Sequence, residues 1–362
     1  MRGIKNRAEV ETLFVFGAGV SKSLTTTRIK SDRTTPLDSE FTSRIKNVKT
    51  SRNHKWVNEA RIRILNDWKY HVQFQDVGFE NAISQQISDL DFLKTIQPQK
   101  GSHNRNKIDY LEDISHITSY ILSKARLNDR KTLSKFVRKY FDDEIHSCKN
   151  RIITFNYDTL IDNLIIEKYK DYQKIYFDSI SSSKKSKSNR STFKQPLILK
   201  LHGSINWKCE KSEYSKVFSE KPVTFKGRTK TYNTDDCHFI DKIWIDNKIE
   251  YPGNNVFPLI IPPIPDKPVT NISIFRYLWT YAFEYLHECK ELVISGYSLP
   301  ETDNLAISLF SQFKNKNLKK ITIIDPSAET VAKWFLLFNR KGIVNPKVEY
   351  YSDFASYLKR NS

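Results

Sequence analysis

The fold is decided by residues 151–164, which have the sequence RIITFNYDTLIDNL. The first half is a short, unbroken apolar run, which is typical of a parallel strand buried on both faces. The second half places the leucines and isoleucines of residues 160–165 on one side of a helix. Asn156 and Asp158 then fall in the strand-to-helix turn. In an open parallel sheet this turn lies at the carboxyl edge, where ligands bind.

Asn156 and Asp158 have a second interpretation, because Asn and Asp are also good helix caps. In that interpretation the two side chains only bind the first amides of the following helix. The turn alone does not distinguish a cap from a ligand site, so the ends of the other strands must be compared with it.

Short apolar strands and helices alternate along much of the chain. Strands are predicted at residues 12–16, 197–201, 256–261, 291–294, 320–324 and 348–351. Helices are predicted at residues 273–288, 301–313, 327–338 and 353–360. This alternation predicts an α/β fold with a Rossmann-like, doubly wound parallel sheet.

Two segments interrupt the alternation. Apolar residues recur at helical spacing between residues 40 and 148, which predicts a large helical insertion, assigned to residues 36–149. Residues 210–255 are polar and rich in turn formers, and they predict a second insertion. The parallel core is therefore assigned to residues 1–35 and 150–362.

The composition fits a folded protein and limits its possible partners. A chain of 362 residues with 39% hydrophobic residues can bury a sizeable core. We expect neither a membrane span nor a signal peptide, because no apolar run reaches about 18 residues. The cysteine usage predicts a cytoplasmic location. The net charge of +18 suggests an acidic partner, such as nucleic acid or an anionic cofactor. Biased composition is the other explanation, since the basic residues are spread along the chain.

The four cysteines argue against a metal centre. They lie far apart and include no Cys-x-x-Cys pair, so the sequence predicts neither a disulfide scaffold nor a four-cysteine zinc site. Cys209, Cys237 and His238 can supply three ligands, but their spacing is not diagnostic. We therefore expect no metal cofactor.

Five predicted strand ends carry residues suited to a ligand. They are Gly17, Ala18, Gly19 and Ser21; Asn156 and Asp158; His202 and Gly203; Gly296, Tyr297 and Ser298; and Asp325. Glycines let a backbone approach a phosphate, and amides at the start of a helix favour negative charge. The first turn is not a dehydrogenase fingerprint, because Lys22 occupies the position of the third glycine. In a parallel sheet these ends face one crevice, which predicts a dinucleotide lying across that edge.

Four of these segments together resemble the sirtuin superfamily in order and spacing. Residues 17–21 (GAGVS) are similar to its phosphate-binding turn, and residues 154–158 (TFNYD) to its Thr-Gln-Asn-x-Asp element. Residues 201–203 (LHG) resemble its catalytic His-Gly, and residues 295–299 (SGYSL) its Gly-x-Ser segment. The resemblance covers the core and leaves both insertions unaccounted for.

The departures from the family pattern favour one subclass. Protein deacylases of the family usually carry a four-cysteine zinc module after the His-Gly, where this chain has only Cys209 and Cys237. Their Gly-Ile-Pro-x-Phe-Arg loop is also missing. The chain is more similar to bacterial sirtuin-like proteins that hydrolyse NAD in anti-phage defence, which commonly replace the zinc module with helices.

The resemblance implies an NAD glycohydrolase that acts as an NAD-depleting effector in abortive infection. In that role Asn156 orients the ribose and the attacking water, His202 acts as general base, and Asp158 contacts the nicotinamide end. The other strand-end residues hold the rest of NAD. Two alternatives stay open, which are an NAD-dependent protein deacylase and a non-enzymatic subunit that binds nucleotide or nucleic acid.

An effector that depletes NAD needs control, because constant hydrolysis would kill its host. We expect a homo-oligomer, with the helical insertion as the self-association surface. We also expect a separate regulatory partner, such as a nucleic-acid-handling ATPase or nuclease, as in related defence systems. The basic charge is compatible with direct DNA or RNA contact.

Overall fold

The structure is a computed structural model. It describes residues 9–25, 31–49, 54–69, 78–96, 106–128, 130–142, 148–170, 175–176, 196–212, 214, 244–245, 256–264, 267, 269, 272–339 and 346–361. The chain divides into two compact units. The first consists of Met1–Ile29, Arg126–Leu201 and Tyr277–Ser362, and the second of Lys30–Ala125 and His202–Arg276.

Strands and helices occur in both units. The strands are β1 (Thr12–Phe16), β2 (Arg151–Thr154), β3 (Ile198–Lys200), β4 (Gly203–Glu210), β5 (Trp244–Ile245), β6 (Val256–Ile260), β7 (Glu291–Ser295), β8 (Lys320–Ile324) and β9 (Lys347–Tyr351). The helices are α1 (Ala18–Thr25), α2 (Asp38–Lys46), α3 (Lys55–Trp68), α4 (Phe79–Ile96), α5 (Lys107–Ser123), α6 (Arg130–Tyr140), α7 (Leu160–Tyr169), α8 (Ser273–Glu288), α9 (Asn304–Ser311), α10 (Ala328–Asn339) and α11 (Phe354–Asn361).

The first unit is built on a six-stranded, all-parallel sheet with the order β3-β2-β1-β7-β8-β9. This confirms an α/β, Rossmann-like fold. The strand order reverses beside β1, because β2 and β3 extend the sheet on one side and β7, β8 and β9 on the other. In sheets of this kind the reversal point opens the crevice that binds ligands.

The strands of this sheet end at one level. The last residues of all six pair across the sheet in a single row, which runs Lys200, Thr154, Phe16, Ser295, Ile324 and Tyr351. The predicted residues of β1, β2, β7 and β8 follow their strands within a few positions of that row. Their turns therefore lie at the same edge of the sheet.

The central strand β1 is buried along its whole length. Phe14 meets the ring of Phe136 on α6 edge-on at 5.0 Å, and Phe16 meets Phe354 on α11 at 5.6 Å. The helix α6 thus packs with the parallel sheet and groups in the first unit. The predicted boundaries placed it in the helical insertion.

The second unit contains α2 to α5 and a three-stranded antiparallel sheet with the order β5-β4-β6. The helix α5 is its central element, because every residue from Tyr110 to Leu122 is buried. The strand β6, which the predicted boundaries include in the parallel core, pairs with β4 in this separate sheet. The helical pattern predicted between residues 40 and 148 is present as α2 to α6.

The surface helices of the described segments bury one face and expose the other. The helix α6 buries Leu133, Phe136 and Val137, and α11 buries Phe354 and Tyr357. Of the helices in the described ranges, none is long and apolar enough to cross a membrane.

His116 of α5 is a buried, neutral histidine in the second unit. Its ring lies 5.6 Å from the ring of Trp56 and 4.9 Å from that of Phe257. Within the described ranges, no hydrogen-bond partner reaches its Nε2 atom. Burial, assisted by the positive charge of Lys208, lowers the pKa of His116 to about 3. The folded protein therefore resists protonation at this position.

This histidine should make the protein less stable in acid. An unfolded histidine has a pKa of about 6.5, so the unfolded state gains a proton as the pH falls below that value, whereas the folded state does not. The contribution of neutral His116 to the free energy of unfolding is fully present above about pH 6.5. It is lost as the pH falls towards about 3, by up to about 1.4 kcal/mol per pH unit. Denaturant unfolding between these pH values should show a shallower acid loss for His116→Phe, which keeps the aromatic contacts. The control is His287→Gln at a half-buried histidine, and equal pH slopes for wild type and His116→Phe would contradict the assignment.

Candidate functional site

The turns after β1 and β7 interlock through their backbones at the reversal point of the sheet. The amide of Gly17 donates to the Ser295 carbonyl (3.1 Å), and that of Gly19 donates to the Gly296 carbonyl (2.9 Å). A Cβ on Gly17 would lie 2.4 Å from the Gly296 oxygen, and one on Gly19 would lie 2.7 Å from the Gly296 Cα. Gly296 has a φ of +58°, and its own Cβ would lie 2.2 Å from the amide nitrogen of Val20. Contact between the two turns therefore requires all three glycines.

Asn156 is tied to the first of these turns. Its Nδ2 donates to the Gly17 carbonyl (2.9 Å) and to Ser21 Oγ (3.0 Å). The carbonyl oxygen can only accept, so this bond determines which atom of the amide is the nitrogen. Among the described residues, none donates a hydrogen bond to Oδ1 of this partly exposed side chain. The amide is thus held by its NH2 group and keeps one acceptor atom for a ligand.

Asp158 is buried and its side chain binds the first amide of the next helix. Its Oδ1 accepts from the amide of Leu160 (3.1 Å), in the first turn of α7, and the hydroxyl of Ser21 also bonds the carboxyl group. Burial raises the pKa of Asp158, while Lys200 and Ser21 oppose that shift. Asp158 therefore binds the first helical amide, as the capping interpretation predicts, from the position before the N-cap residue Thr159. That interpretation does not hold for Asn156, whose side chain bonds the neighbouring turn.

A buried lysine beneath this turn was missed by the sequence reasoning. Lys200, the last residue of β3, is 0% exposed. Its Nζ lies 2.5 Å from the Asp158 carbonyl and 3.2 Å from Asp162 Oδ1, and Asp162 also accepts from the hydroxyl of Tyr176. A single charged residue inside the apolar run of residues 197–201 was the signal that could have identified it.

The predicted catalytic pair is divided between the units, with Asn156 in the first and His202 in the second. His202 is 6% exposed, and its carbonyl accepts from the amide of Ile261 (2.8 Å). Its Nε2 lies 3.3 Å from Nζ of Lys267. An ammonium group only donates, so Nε2 is the accepting atom of that contact and the ring proton is assigned to Nδ1.

The backbone conformation and a close strand contact explain why residue 203 is a glycine. Its φ is +82°, and a Cβ would lie 2.2 Å from the carbonyl oxygen of Leu259 in β6. The residue pairs with Ile260 at the start of β4. Close strand pairing and positive φ therefore account for this glycine within the second unit.

Tyr297 is a packing residue. Its ring stacks on Phe155 with centroids 4.1 Å apart, and its hydroxyl donates to Asp303 (2.9 Å). Its carbonyl accepts from the indole of Trp334 (2.9 Å). The side chain is buried, and its ring and hydroxyl both have partners within the first unit. Ser298, the next residue, is exposed.

Asp325 borders a surface cavity at the ends of β8 and β9. Its carboxylate accepts from the amide of Ser327 (2.9 Å), and burial raises its pKa. The cavity has a volume of about 540 Å³ and is lined by apolar residues of α10, including Phe335, and by Tyr350 and Tyr351. A volume of this size lies within the range of small-molecule sites, about 300–1,000 Å³.

The described residues do not form a metal centre. Across the described ranges, no three His, Cys, Asp or Glu side chains come together as potential ligands. Cys209 is buried in β4. Cys237 and His238, which complete the possible ligand trio, lie outside the described residues.

Comparison with known proteins gives no family assignment. No protein-family model matches this chain, and no curated protein matches it at a significant level. The strand-end motifs and the geometry within each unit are therefore the observations that bear on function.

The interlocked glycines give a direct test of the turn geometry. Gly296→Ala should lower the free energy of unfolding by about 2–5 kcal/mol, because alanine disfavours positive φ and its methyl group would overlap the backbone of Val20. Ala18→Ser is the control, since Ala18 is exposed beside the same contact. The measurement is denaturant unfolding, and equal stability of the two variants would contradict the close contact.

Proposed function

We propose that this chain is an NAD glycohydrolase that cleaves NAD to nicotinamide and ADP-ribose. The observation that carries the proposal is the fixed amide of Asn156. It sits in a strand-to-helix turn beside the reversal point of a Rossmann-like sheet, and its NH2 group is bound to Gly17 and Ser21. The sirtuin motifs place the catalytic asparagine at this position.

The reaction needs positioning more than acid catalysis. The bond between ribose C1′ and the nicotinamide nitrogen breaks through an oxocarbenium-like state, and its electron pair leaves with nicotinamide, which becomes neutral. Water then adds its oxygen to C1′ and gives up a proton. The site must therefore hold the ribose, exclude bulk water and orient one water molecule as the nucleophile.

Asn156 is suited to the positioning step. Both donors of its amide are occupied, so Oδ1 is a fixed acceptor that a ribose hydroxyl or the attacking water can bind. A fixed acceptor costs little reorganisation when the cationic transition state forms. Asp158 supports the same turn, and the sirtuin motif assigns it to the nicotinamide end.

His202 is the proposed general base. Its Nε2 is an acceptor in the present geometry and lies beside the ammonium group of Lys267. Proton uptake at Nε2 requires water or a ribose hydroxyl to replace that contact. The adjacent positive charge also favours an anionic or oxygen-rich ligand.

The remaining strand-end residues are proposed to hold the rest of the dinucleotide. The turns of Gly17, Gly19 and Gly296 are assigned to the pyrophosphate, with Ala18 and Ser298 beside them. The sirtuin resemblance also assigns Gly203 to NAD binding. The cavity next to Asp325 has the volume and the aromatic lining for the adenosine end. The side chain of Tyr297 takes part only through its packing.

The biological role proposed is NAD depletion in anti-phage defence in the cytoplasm. The helices of residues 36–149 would then replace the sirtuin zinc module and supply a self-association surface. A regulatory partner such as a nucleic-acid-handling ATPase or nuclease would control activity, and the net charge of +18 supports contact with DNA or RNA.

Substitution of the proposed pair tests the chemistry. Asn156→Ala and His202→Ala should each lower NAD turnover by about 10²–10⁴-fold, because each removes a positioned group of the reaction. Asn163→Ala on α7 is the matched control and should keep wild-type turnover. Chromatography of nicotinamide and ADP-ribose measures the reaction, and thermal unfolding gives the folded fraction of each variant.

The products distinguish the proposed function from its alternatives. ADP-ribose formed without an acyl peptide supports the hydrolase, and acylated ADP-ribose formed with one identifies a deacylase. The absence of NAD turnover, combined with DNA or RNA binding that weakens steeply with salt, identifies a binding subunit. A folded variant with near wild-type turnover would remove that residue from the catalytic pair.

Assembly should control the activity. We expect turnover per protomer to be low in dilute solution and to rise with protein concentration, with the partner protein or with DNA, because an unregulated NADase would kill its host. The measurement is the initial rate of NAD loss with and without the neighbouring gene product. Full activity from a dilute monomer, unchanged by either addition, would contradict this regulation.

A further inference from the structure

Lys200 is a buried charge that the proposed reaction does not use. It is 0% exposed at the carboxyl end of β3, where the row of strand ends pairs it with Thr154 of β2. Burial of an ammonium group carries a large desolvation cost unless partners compensate for it. Its partners are the Asp158 carbonyl and the carboxylate of Asp162, which is 4% exposed.

Stability alone does not explain this ion pair. A buried ion pair is usually no more stabilising than apolar residues of similar volume, because desolvation of both charges offsets their attraction. The surrounding strand is apolar, so a leucine or methionine would satisfy packing at this position. The ion pair instead favours one conformation of the turn, since its hydrogen bonds form only in that conformation.

The contacts of Lys200 tie the turn that carries Asn156 to the first turn of α7. Its Nζ binds the carbonyl of Asp158 within the turn and the side chain of Asp162 in the first turn of α7. Tyr176 donates to the same carboxylate and restrains it. Displacement of the Asp158 carbonyl would move the backbone two residues from Asn156, whose amide bonds to the neighbouring turn at 2.9–3.0 Å.

We propose that Lys200 is a positioning residue, which holds the turn of Asn156 and Asp158 through the Asp158 carbonyl and Asp162. The inference rests on the proposed function for its effect on catalysis. Lys200 itself touches neither substrate nor water in this role. It acts through the backbone of the turn.

The test compares two buried lysines. Lys200→Met keeps most of the length of the side chain and removes the charge. Lys200→Met combined with Asp162→Asn avoids leaving an unpaired buried carboxylate. Lys208→Met is the control, because Lys208 is equally buried but lies on β4 in the other unit. All three are made in the full chain, and rates are expressed per folded molecule.

We expect both Lys200 variants to lower kcat by about 10–100-fold and to change KM less than about threefold. A small displacement of a catalytic group lowers the reaction rate more than it lowers the affinity for substrate. In the Asn156→Ala background the same substitution should have almost no further effect, since Lys200 acts through that residue. A purely structural lysine would lower the melting temperature and leave kcat per folded molecule unchanged, as we expect for Lys208→Met.

Hydrogen exchange separates this inference from the proposed function. The peptide covering residues 154–160 should lose protection in both Lys200 variants without NAD present, and it should keep wild-type protection in Lys208→Met. If wild type lacks NAD turnover but this loss occurs, the proposed function fails and the positioning role stands. Unchanged protection, or wild-type kcat in the Lys200 variants, would overturn the positioning role.

Discussion

The backbone contact between the turns after β1 and β7 is the constraint on which the candidate site depends. Two parallel strands lie about 4.8 Å apart, so the turns that leave their carboxyl ends compete for the same space. Glycine at positions 17, 19 and 296 removes that conflict and lets the amides bond directly. The contact also fixes the Gly17 carbonyl, to which Asn156 is anchored.

A set of polar side chains is built on this contact inside a largely apolar sheet. Ser21 bonds both Asn156 and Asp158, Asp158 accepts from the first amide of α7, and Lys200 holds the Asp158 carbonyl. Each of these groups satisfies a neighbour, so the cluster avoids the large cost of unpaired buried polar groups. Such a network favours one arrangement of the Asn156 turn, and the function proposed for Asn156 depends on that arrangement.

The second unit follows a different organisation. Its central helix α5 is buried on all sides and carries polar residues that must find partners within the unit. Asp113 pairs with Arg63, Glu112 pairs with Lys211, and Ser115 bonds Tyr214. Within the described ranges, three buried atoms of the same helix have no hydrogen-bond partner, which are His116 Nε2, Thr118 Oγ1 and Ser119 Oγ. His116 stays neutral because burial outweighs the attraction of nearby Asp113. We therefore expect the stability of this unit to fall in acid, because His116 is buried in its neutral form.

The local sequence pattern was sufficient to predict strands and helices, and the strand ends at which site residues were expected. The strands at residues 12–16 and 320–324 have the predicted bounds, because an unbroken apolar run is a local property of the chain. Asn156 and Asp325 were predicted at strand ends for the same reason. Tertiary structure alone decided that β6 pairs with β4, that α6 packs on the parallel sheet, that Tyr297 stacks on Phe155, and that Lys200 lies beneath the Asn156 turn. These outcomes depend on contacts between segments far apart in the chain, and such contacts are selected by shape and by the pairing of buried polar groups, which no local pattern encodes.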